Sequence, residues 1–127
     1  MNILLVDDNE DYLEVVRETL ACHGYAVHTA QDGVQGCEVL AESDIDLIIS
    51  DIRMPRLDGL KLHAFARATE KYRLTRFVFI TGFGELYADK IALEDGKDYL
   101  VDKRTSLEEL VGLIDSFFLG RHREVFA

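Results

Sequence analysis

The sequence predicts an α/β fold, a doubly wound five-stranded parallel sheet, and two observations carry that prediction. Short apolar runs of strand length, such as residues 3–6 (Ile-Leu-Leu-Val) and 77–80 (Phe-Val-Phe-Ile), alternate with stretches whose apolar residues recur three and four positions apart. The runs are also continuous, as in strands covered on both faces, and strands that alternate with helices build parallel sheets. Five such units are too few to close an eight-stranded barrel, so an open sheet follows. A chain of 127 residues suits one domain with a real core.

The first strand, residues 3–6, stops at Asp7-Asp8-Asn9-Glu10-Asp11. Leu13, Val16 and Leu20 then form an apolar stripe over residues 12–23, which Gly24 terminates, with Asp8 or Asn9 able to cap its start. Residues 25–29, with Val27 between more polar neighbours, suit an edge strand. Gln31-Asp32-Gly33 signals a turn, after which Val34, Cys37, Leu40 and Ala41 mark one face of a second helix. Asp46-Leu47-Ile48-Ile49-Ser50-Asp51 is a strand buried on both faces that delivers a carboxylate into a loop holding the only proline, Pro55, and Asp58-Gly59. A third helix is expected over residues 60–72, with Phe65, Ala66 and Thr69 in the core. The strand 77–80 ends at Thr81-Gly82-Phe83-Gly84, and a weaker helical stretch, 85–95, is closed by Gly96. A fifth strand, 99–101, ends near Asp102-Lys103. The last helix has the best-defined stripe, Leu107, Leu110, Val111, Ile114, Phe117 and Phe118, with Thr105 and Glu108 as a capping box and Gly120 as its stop. The domain is therefore expected to span residues 1–120, leaving 121–127 as a tail or the start of a linker.

Charge and composition exclude several classes. The net charge is -10, and basic residues gather only in short groups such as Arg121-His122-Arg123, so neither nucleic acid nor an anionic membrane is an expected direct partner. The N-terminal apolar run lacks a basic flank and is too short for a signal peptide or a membrane span, which points to the cytoplasm. Cys22 and Cys37 fall in predicted helices without CxxC spacing and are expected as buried free thiols. His23, His28, His63 and His122 show no ligand spacing, so no zinc is indicated.

In open parallel sheets, ligands bind beyond the carboxyl ends of the strands. Those ends carry Asp7 and Asp8, Asp51, Thr81 and Lys103. Each residue has an ordinary structural use, as a helix cap, a loop acceptor, a turn residue or a solvated charge. Together they describe a site, because crowded carboxylates repel one another unless a cation intervenes, and oxygen-only ligation by two or three carboxylates suits Mg²⁺.

With Asp7-Asp8, Asp51, Met54-Pro55, Asp58-Gly59, Thr81 and Lys103 in this order, the chain resembles a response-regulator receiver domain from residue 2 to about residue 119. The resemblance implies a flavodoxin-like sheet in the order 2-1-3-4-5. It implies phosphoryl transfer from a histidine kinase or phosphotransfer protein to Asp51, with Mg²⁺ held by Asp7, Asp8, Asp51 and the backbone carbonyl of Arg53. Lys103 would contact the phosphoryl group, Thr81 would donate a hydrogen bond to it, and Gly82 would leave it room. Such a domain promotes its own phosphorylation and dephosphorylation and is not otherwise an enzyme; a downstream output domain or protein target reads the face of the fourth helix, fifth strand and fifth helix.

Two residues depart from the family pattern. Arg104 follows Lys103 where receivers usually carry a proline in a cis bond; a cis bond before a non-proline residue costs ~3 kcal/mol, so a trans linkage is expected. Leu100 takes the position of the usual switch aromatic and Tyr99 lies one residue earlier, so either a bulge near Asp102 restores Tyr99 or the aromatic coupling is absent, the preferred reading. Phe83 and Arg53 would flank the path of a hydrolytic water, with the bulk of Phe83 slowing phosphoryl loss. The alternative function is a receiver-like protein-interaction module that is not phosphorylated. A Mg²⁺-dependent aspartyl phosphohydrolase would carry a carboxylate where Arg53 stands, and a flavin protein would need a hydroxyl- and glycine-rich loop in place of Asp7-Asp8-Asn9.

Overall fold

The computed structural model describes residues 1–82 and 93–118. Phe83, the tail 121–127 and nearly all of the helix expected over 85–95 lie outside the described residues. The elements run β1 (Asn2–Val6), α1 (Glu10–Cys22), β2 (Ala26–Ala30), α2 (Gly33–Glu42), β3 (Leu47–Asp51), α3 (Gly59–Ala68), a 3-10 turn (Glu70–Tyr72), β4 (Arg76–Thr81), β5 (Asp98–Asp102) and α4 (Leu107–Phe118). The strands form one parallel sheet in the order β2-β1-β3-β4-β5, as expected.

Side-chain alternation along the strands divides the core into two layers. Ile3, Leu5, Leu47, Ile49, Val78 and Ile80 pack against α1 and α4, while Leu4, Val6, Ile48, Phe77 and Phe79 face α2 and α3. Burial on both faces is why these strands read as continuous apolar runs. β2, half-covered at the edge, does not.

Short polar side chains set the helix starts. Asn9, Asp32 and Asp58 accept the backbone N–H groups of Tyr12, Gln35 and Lys61 at 3.1, 2.9 and 2.9 Å. At α4 the cap is Ser106, whose Oγ accepts from Glu109 N at 3.1 Å, so the expected capping box at Thr105 is shifted by one residue. The third helix is shorter than expected: Thr69 is extended, and the chain turns through Glu70–Tyr72. Tyr72 is buried there and its single hydroxyl proton is shared between the carbonyls of Leu40 and Ser43, both within hydrogen-bond reach, tying the turn to the end of α2. The buried stripe of α3 is Gly59, Leu62 and Ala66, which leaves Phe65 40% exposed, against expectation. Ala41 and Cys22 are exposed too, since both lie off their helices' buried stripes, and Cys37 is half-buried.

Asp98, assigned no role by the sequence reading, closes the end of the sheet where β5 begins. Its Oδ1 lies 2.7 Å from Arg67 Nη2 and 2.9 Å from His63 Nε2, and its Oδ2 accepts from Glu94 N at 3.0 Å. Arg67 also donates to the carbonyls of Tyr72 and Thr75 at 2.9 and 2.7 Å, and His63 packs edge-on to the Phe77 ring. Burial alone would raise the Asp98 pKa, but the Glu94 N–H, Arg67 and His63 outweigh it and hold the carboxyl below its ordinary value.

Three substitutions test these packing arguments. Asp98→Asn leaves Arg67 buried without its counter-charge and is expected to lower unfolding stability by about 3 kcal/mol in urea titration. Because the folded-state pKa of Asp98 is depressed, its stabilisation is complete above the unfolded value near 3.8 and is lost as pH falls through the folded value; the gap between parent and variant should narrow in that acid window. Gly59 is the second test, because a Cβ there would lie 2.1 Å from the Asp51 carbonyl oxygen. Gly59→Ala should cost about 2 to 3 kcal/mol, whereas Gly112→Ala, in open space on α4, should stabilise by roughly 0.5–1 kcal/mol.

Candidate functional site

The sheet brings the strand-end residues to one place. Asp7 follows β1, Asp51 and Thr81 end β3 and β4, and Lys103 follows β5. Pairing sets Asp51 beside Ile80 and Thr81 beside Asp102, and the N–H of Lys103 donates to the Thr81 carbonyl at 3.0 Å. Lys103 then reaches back across the sheet, placing Nζ 2.8 Å from Asp7 Oδ2 and 3.1 Å from Asp51 Oδ2. The other carboxylate oxygens accept backbone donors: Asp51 Oδ1 from Ile52 N at 2.7 Å and Asp7 Oδ1 from Asn9 N at 2.9 Å.

Asp7 and Asp51 are buried, and Asp8 is exposed at the rim. Burial pushes the Asp7 pKa up and the Asp51 charge adds to the push, against the opposing effects of Lys103 and the Asn9 N–H. For Lys103, burial disfavours the ammonium, but bonds and charges from Asp7 and Asp51 prevail and raise its pKa, so it stays charged. Three carboxylates therefore face one ammonium, and negative charge is in excess.

Carboxylate oxygens of Asp7, Asp8 and Asp51 lie within 4.8 Å of one another. Asp7 Oδ2 is buried without an aligned hydrogen-bond donor, its contact with Lys103 being one of charge at close range. An all-oxygen donor set in which three carboxylates share one ammonium fits a hard divalent cation such as Mg²⁺. Asp8 and Asp51 border a cavity of about 380 Å³, which Asn9, Arg53, Gly82 and Lys103 also line, and Asp7 lies buried behind it. Among the described residues, none lies within 4 Å of where a Cβ at Gly82 would stand.

The loop after β3 is clamped at both ends. The Gly59 N–H donates to the Ile52 carbonyl at 2.8 Å, and the Gly33 N–H to the Leu57 carbonyl at 3.0 Å. Arg56, with φ 66°, is the one non-glycine residue in a left-handed conformation among those described, and its guanidinium pairs with Asp32 at 2.7 Å. Asp32 thus caps α2 and anchors the loop that carries Arg53.

Tyr12 was missed as a site residue by the sequence reading, which used it only to mark the start of a helix. The Lys103 Nζ sits over its ring, 4.9 Å from the centroid. Burial, with the charges of Asp7 and Asp51, pushes its phenol up to about 12, so it stays neutral.

The departures after β5 resolve as follows. No cis peptide occurs among the described residues, so the Lys103–Arg104 linkage is trans. Arg104 folds back on Asp102 through its N–H and guanidinium, at 2.8 and 2.9 Å. The β4–β5 register is unbroken, without a bulge. Tyr99 accordingly packs on the α1–α4 side, 4.8 Å from the Phe117 ring, while Leu100 packs on the α2–α3 side with Phe77 and Phe79. Thr81 is fully buried.

Comparison with known proteins agrees with this geometry. The response regulator receiver domain profile matches residues 3–115. Response regulator MprA of Mycobacterium leprae is 34% identical over 115 residues, which cover 90% of this chain and 49% of that protein. The chain thus spans about half the length of the curated relatives it matches. Among solved structures, chemotaxis response regulator CheY4 of Vibrio cholerae superposes with a TM-score of 0.79 at 28% identity, covering 90% of this chain and 95% of its own. The receiver domain of sensor histidine kinase PA1611 from Pseudomonas aeruginosa, which has a magnesium ion coordinated in its active-site cleft, gives 0.80 at 28% identity, with 90% and 93% covered. A profile matched over residues 3–115, on a five-stranded parallel sheet in the order β2-β1-β3-β4-β5, places this chain in the family of response regulator receiver domains.

Proposed function

We propose that the protein is a phosphorylation switch in which Asp51 accepts a phosphoryl group from a histidine kinase or phosphotransfer protein. The observation that carries this reading is Lys103 Nζ set between the buried carboxylates of Asp7 and Asp51, beside an open cavity. A carboxylate oxygen of Asp51 attacks phosphorus as the P–N bond of the donor phosphohistidine breaks; the bonding pair returns to the imidazole, which takes up a proton, and an aspartyl phosphate remains. Mg²⁺, held by Asp7, Asp8, Asp51 and the Arg53 carbonyl, supplies charge neutralisation when bound, and the magnesium ion in the Pseudomonas relative supports that assignment.

Lys103 binds the transferred group as a point charge, Thr81 donates a hydrogen bond to it, and Gly82 leaves space. The added charge and acceptor oxygens bias the ends of β4 and β5, and an output domain or separate protein target reads the change. Arg53, where an aspartyl phosphohydrolase would need a carboxylate, disfavours turnover of a separate substrate. One observation favours a second reading, a receiver-like interaction module that is not phosphorylated: Tyr99 packs with Phe117 and Leu100 replaces the usual switch aromatic.

Incubation with Mg²⁺ and acetyl phosphate, followed by intact-mass measurement, is expected to show one base-labile phosphoryl adduct on the parent protein and none on Asp51→Asn. Lys103→Ala should slow labelling roughly 100-fold, and a chelator should abolish it. A parent protein that remains unlabelled with a cognate phosphohistidine donor would leave the interaction-module reading standing.

A further inference from the structure

We propose that Tyr12 is a positioning residue for Lys103, its ring face holding the ammonium within reach of Asp51. The proposal rests on the phosphoacceptor reading of Asp51. Lysine is a compact charge on a flexible stem, so its aim depends on what surrounds the head. Here Asp7 Oδ2 and Asp51 Oδ2 lie 2.8 and 3.1 Å from Nζ, and the Tyr12 ring lies 4.9 Å away. The Lys103 side chain is only 22% exposed, and a cation over an aromatic face is held more strongly as water is excluded.

The ring contact differs in kind from the other two. Both carboxylates are acceptors whose oxygens other ligands can engage, and each such engagement weakens their grip on the lysine. The face of a phenol ring offers no lone pair to an incoming cation or phosphoryl group, so its hold on the ammonium persists. Its own position is set by the helix start and the core: the Tyr12 N–H donates to the Asn9 cap at 3.1 Å, and the ring packs against the core layer under α1 and α4. That layer includes Leu13, Val16 and Val111. Tyr12 thus joins the rigid first turn of α1 to the one ammonium in the site.

Tyr12→Phe, which keeps the ring face, and Tyr12→Leu, which removes it, test the proposal. In the protein without metal or phosphodonor, the Lys103 ε-methylene protons should show an upfield ring-current shift by NMR in the parent and Tyr12→Phe, and none in Tyr12→Leu. With Mg²⁺ and acetyl phosphate, Tyr12→Phe should phosphorylate within about twofold of the parent, and Tyr12→Leu about fivefold more slowly. Tyr12→Met, an unbranched filler, replaces the leucine variant if that protein does not fold. A parent-like rate in the ring-less variant, or an equal loss in Tyr12→Phe, overturns the proposal. Absence of label on the parent, with a cognate phosphohistidine donor as well as acetyl phosphate, would instead refute the phosphoacceptor reading, and the NMR shift would then decide the Tyr12 contact by itself.

Discussion

The structure depends on one electrostatic arrangement, Lys103 bridging Asp7 and Asp51 at 2.8 and 3.1 Å. Removing one carboxylate from water is costly, and removing two within reach of each other is worse unless cations and donors intervene. The fold supplies one ammonium and two backbone N–H groups, which leaves negative charge in excess once Asp8 is counted. That imbalance makes the site receptive: burial, with the Asp51 charge added, raises the Asp7 pKa, and a hard cation beside the carboxylates would offset both.

The topology makes this crowding possible. β1 and β3 are neighbours in the sheet although α1, β2 and α2 separate them in sequence, so Asp7 and Asp51 meet where the strand order reverses. The ends of β4 and β5 are linked by the backbone bond from Lys103 to the Thr81 carbonyl, so these two residues cannot shift independently. The unbroken register then determines what each β5 side chain faces: Tyr99 goes to one layer and Leu100 to the other. A one-residue offset in sequence thereby becomes a change of face, and the aromatic stands apart from the layer that Leu100 shares with Phe77 and Phe79.

Much of this was legible in the sequence, and the failures have physical reasons. Continuous apolar runs exposed the doubly covered strands, and their order placed Asp7, Asp51, Thr81 and Lys103 at a common edge. Interactions between distant segments were invisible because no local pattern announces them. Asp98 looked like one more acidic residue in an acidic chain, yet it is paired by Arg67 and His63 from α3. Tyr12 carried no signal because its partner is Lys103, across the sheet. Smaller errors came from helical phase: starting α3 at Gly59 puts Leu62 in the core and Phe65 at the surface, and Ser106 displaces Thr105 as the cap.

The two ends of the sheet differ in how their carboxylates are balanced, although each keeps a buried polar atom without a hydrogen bond, Arg67 Nε at one and Asp7 Oδ2 at the other. At the amino end of β5, Asp98 has a charged partner, a histidine and a backbone donor, and Tyr72 and Arg67 satisfy carbonyls around it. At the carboxyl end, Asp7 Oδ2 lacks an aligned donor, Arg56 stands in a left-handed conformation, and a Cβ at either Gly33 or Gly59 would collide with a carbonyl oxygen. Strain and like charge persist only where surrounding structure over-determines them, and the surroundings here are the buried sheet and the clasp on α3. α3 spans the two ends, since its first residue lies too close to the Asp51 carbonyl to carry a Cβ, while His63 and Arg67, one and two turns later, grip Asp98. The backbone of Asp51 is therefore seated against a helix whose other end is tied to Asp98, at the opposite end of the sheet.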